Sequence, residues 1–370
     1  MLDGFWRILS LFWAVFSCLL TQQVRSILTT LELFRMQKLK IVYNNKMTSP
    51  SIPNTRRSTL SLEQIERAAT SIDPVFRNTP QFESAPLSSA IGTDCVVKIE
   101  TLNPIRSFKG RGADYFVSTL EPDAKLVCAS AGNFGQAMAY ACGKRGMPLT
   151  VFASFNANPL KLERMRALGA NLILEGGDFD AAKLAAKRHA AEIGASMIED
   201  GLEPRISEGA GTIGLELAGY AQPIDVLLVP LGNGALATGV GRAIKARSPQ
   251  TKVIAVSAAG APAMERSWRT QQLVILEHIE TIADGIGVRI PVPEAIAEMR
   301  HTIDEVILID DRATIQAMRL LHRHLGLIVE PSGAIGVAAA MLERFRGTRV
   351  ATVICGGNLT EAQVREWIMQ

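Results

Sequence analysis

A lysine lies between an aromatic ring and a glycine in the segment "SFKGRG", residues 107–112, where Lys109 follows Phe108 and precedes Gly110. Taken alone, the segment fits a surface turn with a solvated lysine, because charged side chains are mostly exposed. The other interpretation is that Lys109 is held away from water for chemistry. A desolvated lysine can lose its proton near neutral pH and then acts as a base. The remaining sequence has to decide between a turn and a site.

Glycine-rich segments are candidates for the partner of this lysine. The segment "PLGNGALATGVG" (230–241) follows the apolar run "DVLLVP" and opens a helical pattern. "SAGNFGQ" (130–136) lies in the same way between strand-like and helical patterns, and "CGGN" (355–358) follows the last apolar run. Backbone N–H groups in such a turn, at the start of a helix, can bind phosphate. The alternative is a tight turn in which glycine only permits a positive φ.

The type of phosphate can be narrowed from residues 230–241. A P-loop needs Lys-Ser/Thr after its last glycine, but Val240 follows Gly239. A dinucleotide site needs an acidic residue at the end of the next strand, and "KVIAVSAA" offers Ser257 instead. The segment therefore fits a single phosphate monoester.

The elements that must position these loops alternate along the chain from Leu126 onward. Short apolar runs such as "LVCAS", "LTVFAS" and "NLILEG" alternate with helical patterns such as "PLKLERMRALG" and "FDAAKLAAKRHAAEIG". This order is typical of an α/β fold with mostly parallel sheets, and its two runs predict two lobes with a ligand in the crevice between them. We expect a large domain from residues 47–114 and 203–370, and a small domain from residues 115–202.

Charge and cysteine content exclude several function classes. The net charge is +3, and no basic run is interleaved with aromatic residues, so nucleic acid is not an expected partner. Hydrophobic residues make up 48% and charged residues 20%, as in an ordinary globular enzyme. The five cysteines are scattered without a CxxC pair. They favour free thiols in a reducing, cytoplasmic compartment over a disulfide framework or a zinc site.

Residues 1–46 differ in character from the rest of the chain. The apolar run at residues 8–20 is too short for a comfortable membrane span, and no small-residue cleavage site follows it. We expect a non-core N-terminal extension, with a targeting segment or a membrane anchor as alternatives. The first core helix is expected near Ser61, which forms a capping box with Gln64. No membrane association is expected.

A phosphate loop together with an enclosed lysine suggests pyridoxal 5′-phosphate, whose aldehyde forms a Schiff base with lysine. The sequence also resembles the fold-type-II pyridoxal-phosphate enzymes, with a tryptophan synthase β-like fold, specifically the serine/threonine dehydratase (threonine ammonia-lyase) and serine racemase group. The resemblance runs from about Leu60 to Thr360. It rests on segments in family order: "NPIRSFKGRGA", "SAGNFGQAMAYA", "PLKLERMRALGA", "GAGTIGLEL", "VPLGNGALATGVG", "TIADGIG", "VEPSGA" and "CGGN".

The resemblance implies roles for individual residues at the cofactor. Lys109 matches the Schiff-base lysine, Phe108 matches the ring that packs against the cofactor, and Asn133 matches the residue that bonds its 3′-hydroxyl. Cys355 falls where the family bonds the pyridine nitrogen. The phosphate cup is matched by Gly232, Asn233, Gly234, Ala235 and Leu236.

The implied substrate is a small amino acid. Ser130, Gly132 and Asn133 lie where the family binds the substrate carboxylate. The implied reaction is β-elimination: the substrate amine displaces Lys109, the released amine removes the α-proton, and the β-hydroxyl leaves. The products are a 2-oxo acid and ammonia. L-Threonine and L-serine are the expected substrates; 3-hydroxyaspartate and phenylserine are alternatives.

Two positions separate dehydration from related chemistries. A racemase of this group carries a second base, a serine, at the position of Ala131, so we expect weak racemisation at most. Cys355 is not a carboxylate and does not hold the pyridine nitrogen protonated, which favours expulsion of a β-leaving group; its other interpretation is a small buried hydrophobe. A β-replacement synthase is less expected, because those enzymes usually carry a different, threonine-rich carboxylate loop. A pyridoxal-phosphate carrier or sensor is disfavoured by the intact Lys109 and Asn133.

No metal site is expected. Racemase-like members of the group bind a divalent cation through acidic residues, but Ser257 and Ala263 occupy those positions here. His322 and His324 lie two apart on a helical pattern and are interpreted as surface residues.

Three further expectations concern the site wall, regulation and assembly. Phe134 replaces a histidine common in the family, and "IEDGLEPRISEGAGT" departs from the usual "HPFDDP" segment. We expect an enzyme with a catabolic or specialised role and without an amino-acid-sensing domain, assembled as a homodimer.

Overall fold

The computed structural model describes residues 51–370. The expectations for residues 1–46 lie outside the described residues. Within residues 51–370, no helix combines the length and the apolar character that crossing a bilayer requires.

Thirteen helices and ten strands make up the described residues. The strands are β1 Gln81–Glu83, β2 Asp94–Ile99, β3 Leu126–Ala129, β4 Leu149–Ala153, β5 Asn171–Leu174, β6 Ser196–Ile198, β7 Val226–Pro230, β8 Lys252–Ala258, β9 Glu305–Ile309 and β10 Arg349–Ile354. The first helices are α1 Leu62–Ser71, α2 Ala85–Ile91, α3 Lys109–Ser118, α4 Asn133–Arg145, α5 Pro159–Ala167, α6 Phe179–Ile193 and α7 Pro204–Ala218. The remaining helices are α8 Ala235–Arg247, α9 Ala263–Thr270, α10 Pro293–Thr302, α11 Asp311–Leu325, α12 Pro331–Ala340 and α13 Glu361–Trp367. Short 3₁₀ turns cover Pro74–Phe76, Asp284–Ile286 and Glu343–Phe345.

The strands form two sheets, which confirms the predicted α/β fold with mostly parallel sheets. The six-stranded sheet has the order β1-β2-β10-β7-β8-β9, and only β1 pairs antiparallel. The four-stranded sheet has the order β5-β4-β3-β6 and is parallel throughout. All strands of the four-stranded sheet come from residues 126–198, inside the range predicted for the small domain; the domain boundaries themselves stay a prediction.

Burial explains why the central strands read as continuous apolar runs. Every residue of β3 and of β7 is buried, as expected when helices cover both faces of a parallel sheet. The antiparallel β1–β2 pair was not predicted from the sequence. It precedes the first alternating segment, and β1 has only three residues.

Helix ends follow the local sequence. The Ser61 hydroxyl accepts a hydrogen bond from the backbone N–H of Gln64 (3.3 Å) and caps α1, as predicted. The Gln64 side chain accepts from the Tyr115 hydroxyl (2.7 Å) instead of closing a capping box, so that half of the prediction is wrong. Helix α6 ends, as predicted, at Gly194 in the left-handed conformation (φ 64°).

Candidate functional site

Lys109 is the first residue of α3, and it is not a solvated surface lysine. Its Nζ lies 2.6 Å from Oδ2 of Asp200, and both side chains are only 13% exposed. The same nitrogen lies 4.7 Å from the centroid of the Phe108 ring and 6.0 Å from that of Phe134. The amine is thus enclosed by two aromatic rings and one carboxylate, which excludes the surface-turn interpretation.

The glycines around Lys109 serve helix packing. A Cβ on Gly110 would lie 2.3 Å from the ring of Phe76, and a Cβ on Gly112 would lie 2.4 Å from the carbonyl oxygen of Ile206 in α7. Any side chain at either position would push α3 away from its neighbours. The two glycines therefore let α3 sit close enough to hold Lys109 at its buried start.

The lysine loop is also fixed to the end of β10. The backbone N–H of Phe108 donates to the carbonyl of Cys355 (3.0 Å), and Ser107 forms an isolated antiparallel bridge with Gly356. Two segments that are about 250 residues apart in the sequence are thereby joined by backbone hydrogen bonds. The structure brings Phe108, Lys109 and Cys355 together, and their roles at the cofactor stay predictions.

Asp200 was not identified as a site residue from the sequence. It follows β6, and its second oxygen, Oδ1, is buried with no hydrogen-bond partner among the described residues. The available signal was its place just after the strand "SMI", at the carboxyl end where parallel sheets bind ligands. Residues 198–212 depart from the family pattern, but that departure does not identify which of them faces the lysine.

The glycine loop lies beside Asp200. Gly201 has a φ of 85°, and a Cβ there would lie 2.3 Å from the carbonyl oxygen of Asn233. Gly234 has a φ of 100°, and its Cβ would lie 2.9 Å from the Cβ of Ala295. Both positions need glycine for conformation and for space. Residues 232–236 are therefore held against Gly201, one residue from the carboxylate that contacts Lys109.

This loop has the properties of an anion site. Helix α8 begins after Gly234 with no side-chain cap, so its first N–H groups are available to a ligand. The positive end of the helix dipole favours a negative group at the same place. Gly232, Asn233, Gly234, Ala235 and Leu236 all lie in this turn.

Asn133 is held from two sides by other side chains. Its Nδ2 donates to Oε1 of Glu330 (2.7 Å), and its Oδ1 accepts from Nδ2 of Asn358 (2.8 Å). Glu330 also accepts from the Ser332 hydroxyl (2.8 Å) and from the backbone N–H of Asn358 (3.1 Å). Asn133 therefore has a fixed orientation, with one Nδ2 hydrogen left over for a ligand.

Glu330 is itself buried deeply, at 2% exposure. Burial raises the pKa of its carboxyl, and the nearby Asp284 carboxylate adds to this, while Lys161 and the donated hydrogen bonds oppose it. Lys161 in α5 is paired with Asp284 (2.8 Å) and does not contact Glu330 directly. Glu330, Lys161, Asp284 and Asn358 all lie in segments that carry the family resemblance, but none of them was assigned a role from the sequence.

The loop of Ser130 and Gly132 lies between β3 and α4. The Ser130 hydroxyl oxygen accepts from the N–H of Gly132 (3.2 Å) and of Gly135 (3.0 Å), which folds the loop around it. A Cβ on Gly132 would meet nothing within 4 Å, so the loop is open on that side. Such a turn, followed by the start of α4, presents N–H groups suited to a carboxylate.

Cys355 is a buried thiol at 4% exposure. Its Sγ donates to the carbonyl of Ser332 (3.3 Å). Burial raises the pKa of the thiol, and the Glu330 carboxyl adds to this, so Cys355 stays protonated at neutral pH.

Four positions were considered for a metal ion in the sequence, and they do not form a cluster of ligands: Ser257, Ala263, His322 and His324. Among residues 51–370, no group of three His, Cys, Asp or Glu side chains is arranged to hold a metal ion. Ser257 in β8 is fully buried, with no partner for its hydroxyl in the described structure, and Ala263 begins α9. His322 and His324 lie in the last turn of α11 and are half-buried, more enclosed than the predicted surface position. The expected absence of a cation stays a prediction.

These residues fit pyridoxal 5′-phosphate. The glycine turn at α8 can take a phosphate, and Lys109 provides the amine that must reach the aldehyde. The ring of Phe108 lies beside that amine, and Asn133 has a hydrogen available for the 3′-oxygen. Oδ1 of Asp200 is buried without a partner among the described residues, which fits a site that binds a further polar group.

Comparison with known proteins agrees with this fit. Residues 72–356 match the family model described as "Pyridoxal-phosphate dependent enzyme". The L-threonine ammonia-lyase of Thermotoga maritima is 34% identical over 304 residues, which cover 81% of this chain and 76% of the relative. The structure of maize serine racemase has a TM-score of 0.77 at 29% identity, covering 82% of this chain and 95% of that chain. The structure of the processed form of threonine deaminase isoform 2 from Solanum lycopersicum has a TM-score of 0.76 at 25% identity, covering 87% and 97%.

The family match spans most of the chain and includes Lys109, Asn133, the glycine turn and Cys355. The predicted family, fold and cofactor are confirmed. The chain belongs to the family of pyridoxal-phosphate dependent enzymes.

Proposed function

We propose that this protein is an ammonia-lyase that removes water and ammonia from a β-hydroxy amino acid, L-threonine or L-serine, to give a 2-oxo acid. The observation that carries the proposal is the enclosed Lys109 amine, which lies among Phe108, Phe134 and Asp200 beside an anion-binding turn. Relatives named L-threonine ammonia-lyase support the same reaction.

Residues of this chain bind each part of the reactants. The turn at residues 232–236 takes the phosphate, Phe108 packs on the ring, and Asn133 bonds the 3′-oxygen. The turn of Ser130, Gly132 and Asn133 takes the substrate carboxylate at the uncapped start of α4, since the N–H groups of Ser130 and Gly132 are already bonded within the protein. Bound pyridoxal phosphate supplies an electrophilic carbon for amines and a conjugated ring that accepts electrons.

Lys109 is the proposed base. With pyridoxal phosphate bound, Nζ would hold its aldehyde carbon, and the amine freed from that bond would take the proton from the substrate α-carbon. The structure adds a condition to this role. Lys109 is paired with Asp200 as well as desolvated, so the released amine must be free of its extra proton before it can accept another.

Two side chains support elimination over racemisation. Ala131 stands in the substrate loop, next to Ser130, and its methyl group cannot deliver a proton to the second face of the α-carbon. The Cys355 thiol contacts the Ser332 carbonyl and burial raises its pKa, so it carries no negative charge that would hold a pyridine nitrogen protonated. With pyridoxal phosphate bound, a ring nitrogen without a proton would favour loss of the β-hydroxyl over return of a proton to the α-carbon.

Racemisation of serine is the second candidate, favoured by relatives and neighbours named serine racemase. A measured D-serine yield from L-serine decides between the two. On the described residues, Ala131 argues for elimination.

Asp200 and Phe134, which lie around the Lys109 amine, limit which β-hydroxy amino acids fit the site. Asp200 places a carboxylate next to the reacting nitrogen, and a second carboxylate on the substrate would be repelled there. This disfavours 3-hydroxyaspartate. The Phe134 ring lies 6.0 Å from the Lys109 amine and gives the site an apolar wall, which suits the methyl group of threonine.

A homodimer, a cytoplasmic location, a catabolic role, serine as a second substrate and the absence of a cation remain predictions. The four described cysteines are buried and free, which supports a reducing compartment.

The test is a panel of β-hydroxy amino acids scored for 2-oxo acid and ammonia. We expect L-threonine and L-serine to be the best substrates, and 3-hydroxyaspartate to be at least about tenfold slower, as one charge repulsion of about 1.4 kcal/mol would cause. Equal amounts of 2-oxo acid and ammonia confirm elimination. A purified protein that binds the cofactor but releases ammonia from none of the panel contradicts the proposal.

A further inference from the structure

Asp200 has one partner and one unused oxygen. Its Oδ2 is bound by Lys109 Nζ (2.6 Å), and among the ion pairs of residues 51–370 Lys109 is its only cation. Its Oδ1 is buried with no donor within the described chain. The neighbouring acid, Glu199, turns the other way and pairs with Lys183 and Lys187 of α6.

The charge of Asp200 is therefore balanced only by the amine that lies next to its carboxylate. A buried carboxylate that loses its only cation pays a large desolvation cost. When Lys109 is bonded to the cofactor, the nitrogen at this point is no longer a free ammonium. The incoming substrate brings a second ammonium to the same place.

We propose that Asp200 is a further catalytic residue, which binds the substrate α-ammonium and carries a proton between the two amines as they exchange on the cofactor. The proposal rests on the proposed function, in which Lys109 holds the cofactor. Oδ1 accepts a hydrogen bond from the arriving α-ammonium, while Oδ2 stays at Lys109 Nζ.

The exchange balances in protons and bonds. The substrate ammonium would give up two protons as its nitrogen takes the place of Lys109 at the cofactor carbon. Asp200 would pass one of them to Nζ, which leaves its carbon–nitrogen bond as a neutral amine, and would keep the other. Asp200 would then be a neutral acid, so no unpaired carboxylate is left in the site and the Lys109 amine is free to accept the α-proton.

Neither of the other ionisable groups discussed near the Lys109 amine, Glu330 and Cys355, is free to carry this proton. Glu330 already accepts three hydrogen bonds, and they hold Asn133 and the Asn358 loop. The Cys355 thiol gives its hydrogen to Ser332. Asp200 alone combines contact with Lys109 and a free buried oxygen.

The experiment measures amine exchange without turnover. L-Alanine carries an α-amine and no β-leaving group, so the change in cofactor absorbance after rapid mixing reports the exchange alone. We compare the parent holoenzyme with Asp200→Asn, Asp200→Ala and the control Glu199→Gln. Borohydride reduction and peptide mass analysis show in each protein that the cofactor is attached to Lys109.

We expect the exchange rate to fall about 10²-fold in Asp200→Asn, the lower end of what a positioned proton carrier supplies. Glu199→Gln should exchange as the parent does. Added formate should restore part of the rate in Asp200→Ala, because a small carboxylate fits the space left by the side chain, and should do nothing in Asp200→Asn.

Each outcome decides one point. A parent in which the cofactor is not attached to Lys109 contradicts the proposed function. A parent with attached cofactor, whose Asp200→Asn variant exchanges within threefold of it, overturns the role of Asp200 alone. An equal loss in Glu199→Gln, or no rescue of Asp200→Ala by formate, overturns it as well, since a purely structural role would give either result.

Discussion

Two carboxyl groups flank the site from two regions of the molecule, and they are held in opposite ways. Asp200 follows β6 of the four-stranded sheet, contacts one cation and keeps a free oxygen. Glu330 precedes α12, beside the six-stranded sheet, and accepts hydrogen bonds from Asn133, Ser332 and Asn358. Asp200 therefore has one bonded oxygen and one unpartnered oxygen among the described residues, whereas both oxygens of Glu330 accept hydrogen bonds.

This difference in bonding indicates different roles: Asp200 is the proposed proton carrier, and Glu330 holds Asn133 in position. Glu330 fixes the amide of Asn133, and a saturated network of this kind resists rearrangement. Asp200 can exchange its partner, because only one contact has to break. The two variants that remove these acids should therefore fail differently: loss at Asp200 affects reaction steps, and loss at Glu330 affects stability.

The largest expected effect follows from removing Lys109, the cation paired with Asp200. Lys109→Ala deletes the amine that holds the cofactor and takes the α-proton. We expect the visible absorbance of attached cofactor to disappear and ammonia release to fall by about 10³-fold or more, within the range of a lost general base combined with lost attachment.

Lys161→Gln provides the matched control. Lys161 is also buried, at 7% exposure, but its partner is Asp284 and it lies in α5. This variant should keep the absorbance of attached cofactor. A coloured and active Lys109→Ala variant would remove the basis for both the proposed function and the role of Asp200.

A smaller effect, on cofactor affinity, is expected from a substitution at Gly201, which lies against Asn233 in the turn at residues 232–236. In Gly201→Ala, the new Cβ lies 2.3 Å from the Asn233 carbonyl oxygen in a left-handed conformation, which costs about 1–2 kcal/mol for the backbone alone. We expect cofactor affinity to drop about tenfold or more, measured by equilibrium dialysis, because Asn233 has to move.

Gly194→Ala separates backbone strain from the contact with the turn. Gly194 has a similar φ of 64°, and a Cβ there meets nothing within 4 Å. It should lower the melting temperature while leaving cofactor affinity unchanged. Equal affinity losses in both variants would show that general destabilisation, and not displacement of Asn233, weakens binding.

The sequence predicted the parts of the site that depend on local chemistry. Lys109, the glycine turn and Asn133 follow strand-like runs, and parallel strands bring such loops to one edge. The fold followed from the same alternation. The sequence did not show whether Lys109 is solvated, since that depends on Phe134, which is 25 positions away.

The features that the sequence did not predict are contacts between residues far apart along the chain. Asp200 reaches Lys109 across 91 residues, and Asn133 reaches Glu330 across 197. An acid after a strand has no sequence signal for its partner, because either a lysine from another loop or water can satisfy it. The short antiparallel strand β1 escaped for a similar reason: its three residues are defined by pairing with β2.

The smallest expected effect concerns Glu330 and pH. Burial raises the pKa of Glu330 above its ordinary value of 4.5, so the fold favours the protonated acid. That contribution to stability is fully present below about pH 4.5 and is lost as the pH rises through the folded-state pKa. Glu330→Gln does not titrate at this position. The stability advantage of the parent over this variant should therefore shrink as the pH rises between the unfolded-state and folded-state pKa values, by about 1.4 kcal/mol per pH unit.

Glu305→Gln is the control with the opposite sign. Hydrogen bonds from Arg344 and Lys252 lower the pKa of Glu305, on the edge strand β9. Its contribution to stability is present above about pH 4.5 and is lost as the pH falls through the lowered folded-state pKa, so the parent's advantage over Glu305→Gln should grow with rising pH. Urea unfolding of the three proteins at several pH values measures both slopes. Slopes of the same sign would mean that Glu330 is ionised in the fold and that its three donors outweigh its burial, which would bring it closer to Asp200 than the structure indicates.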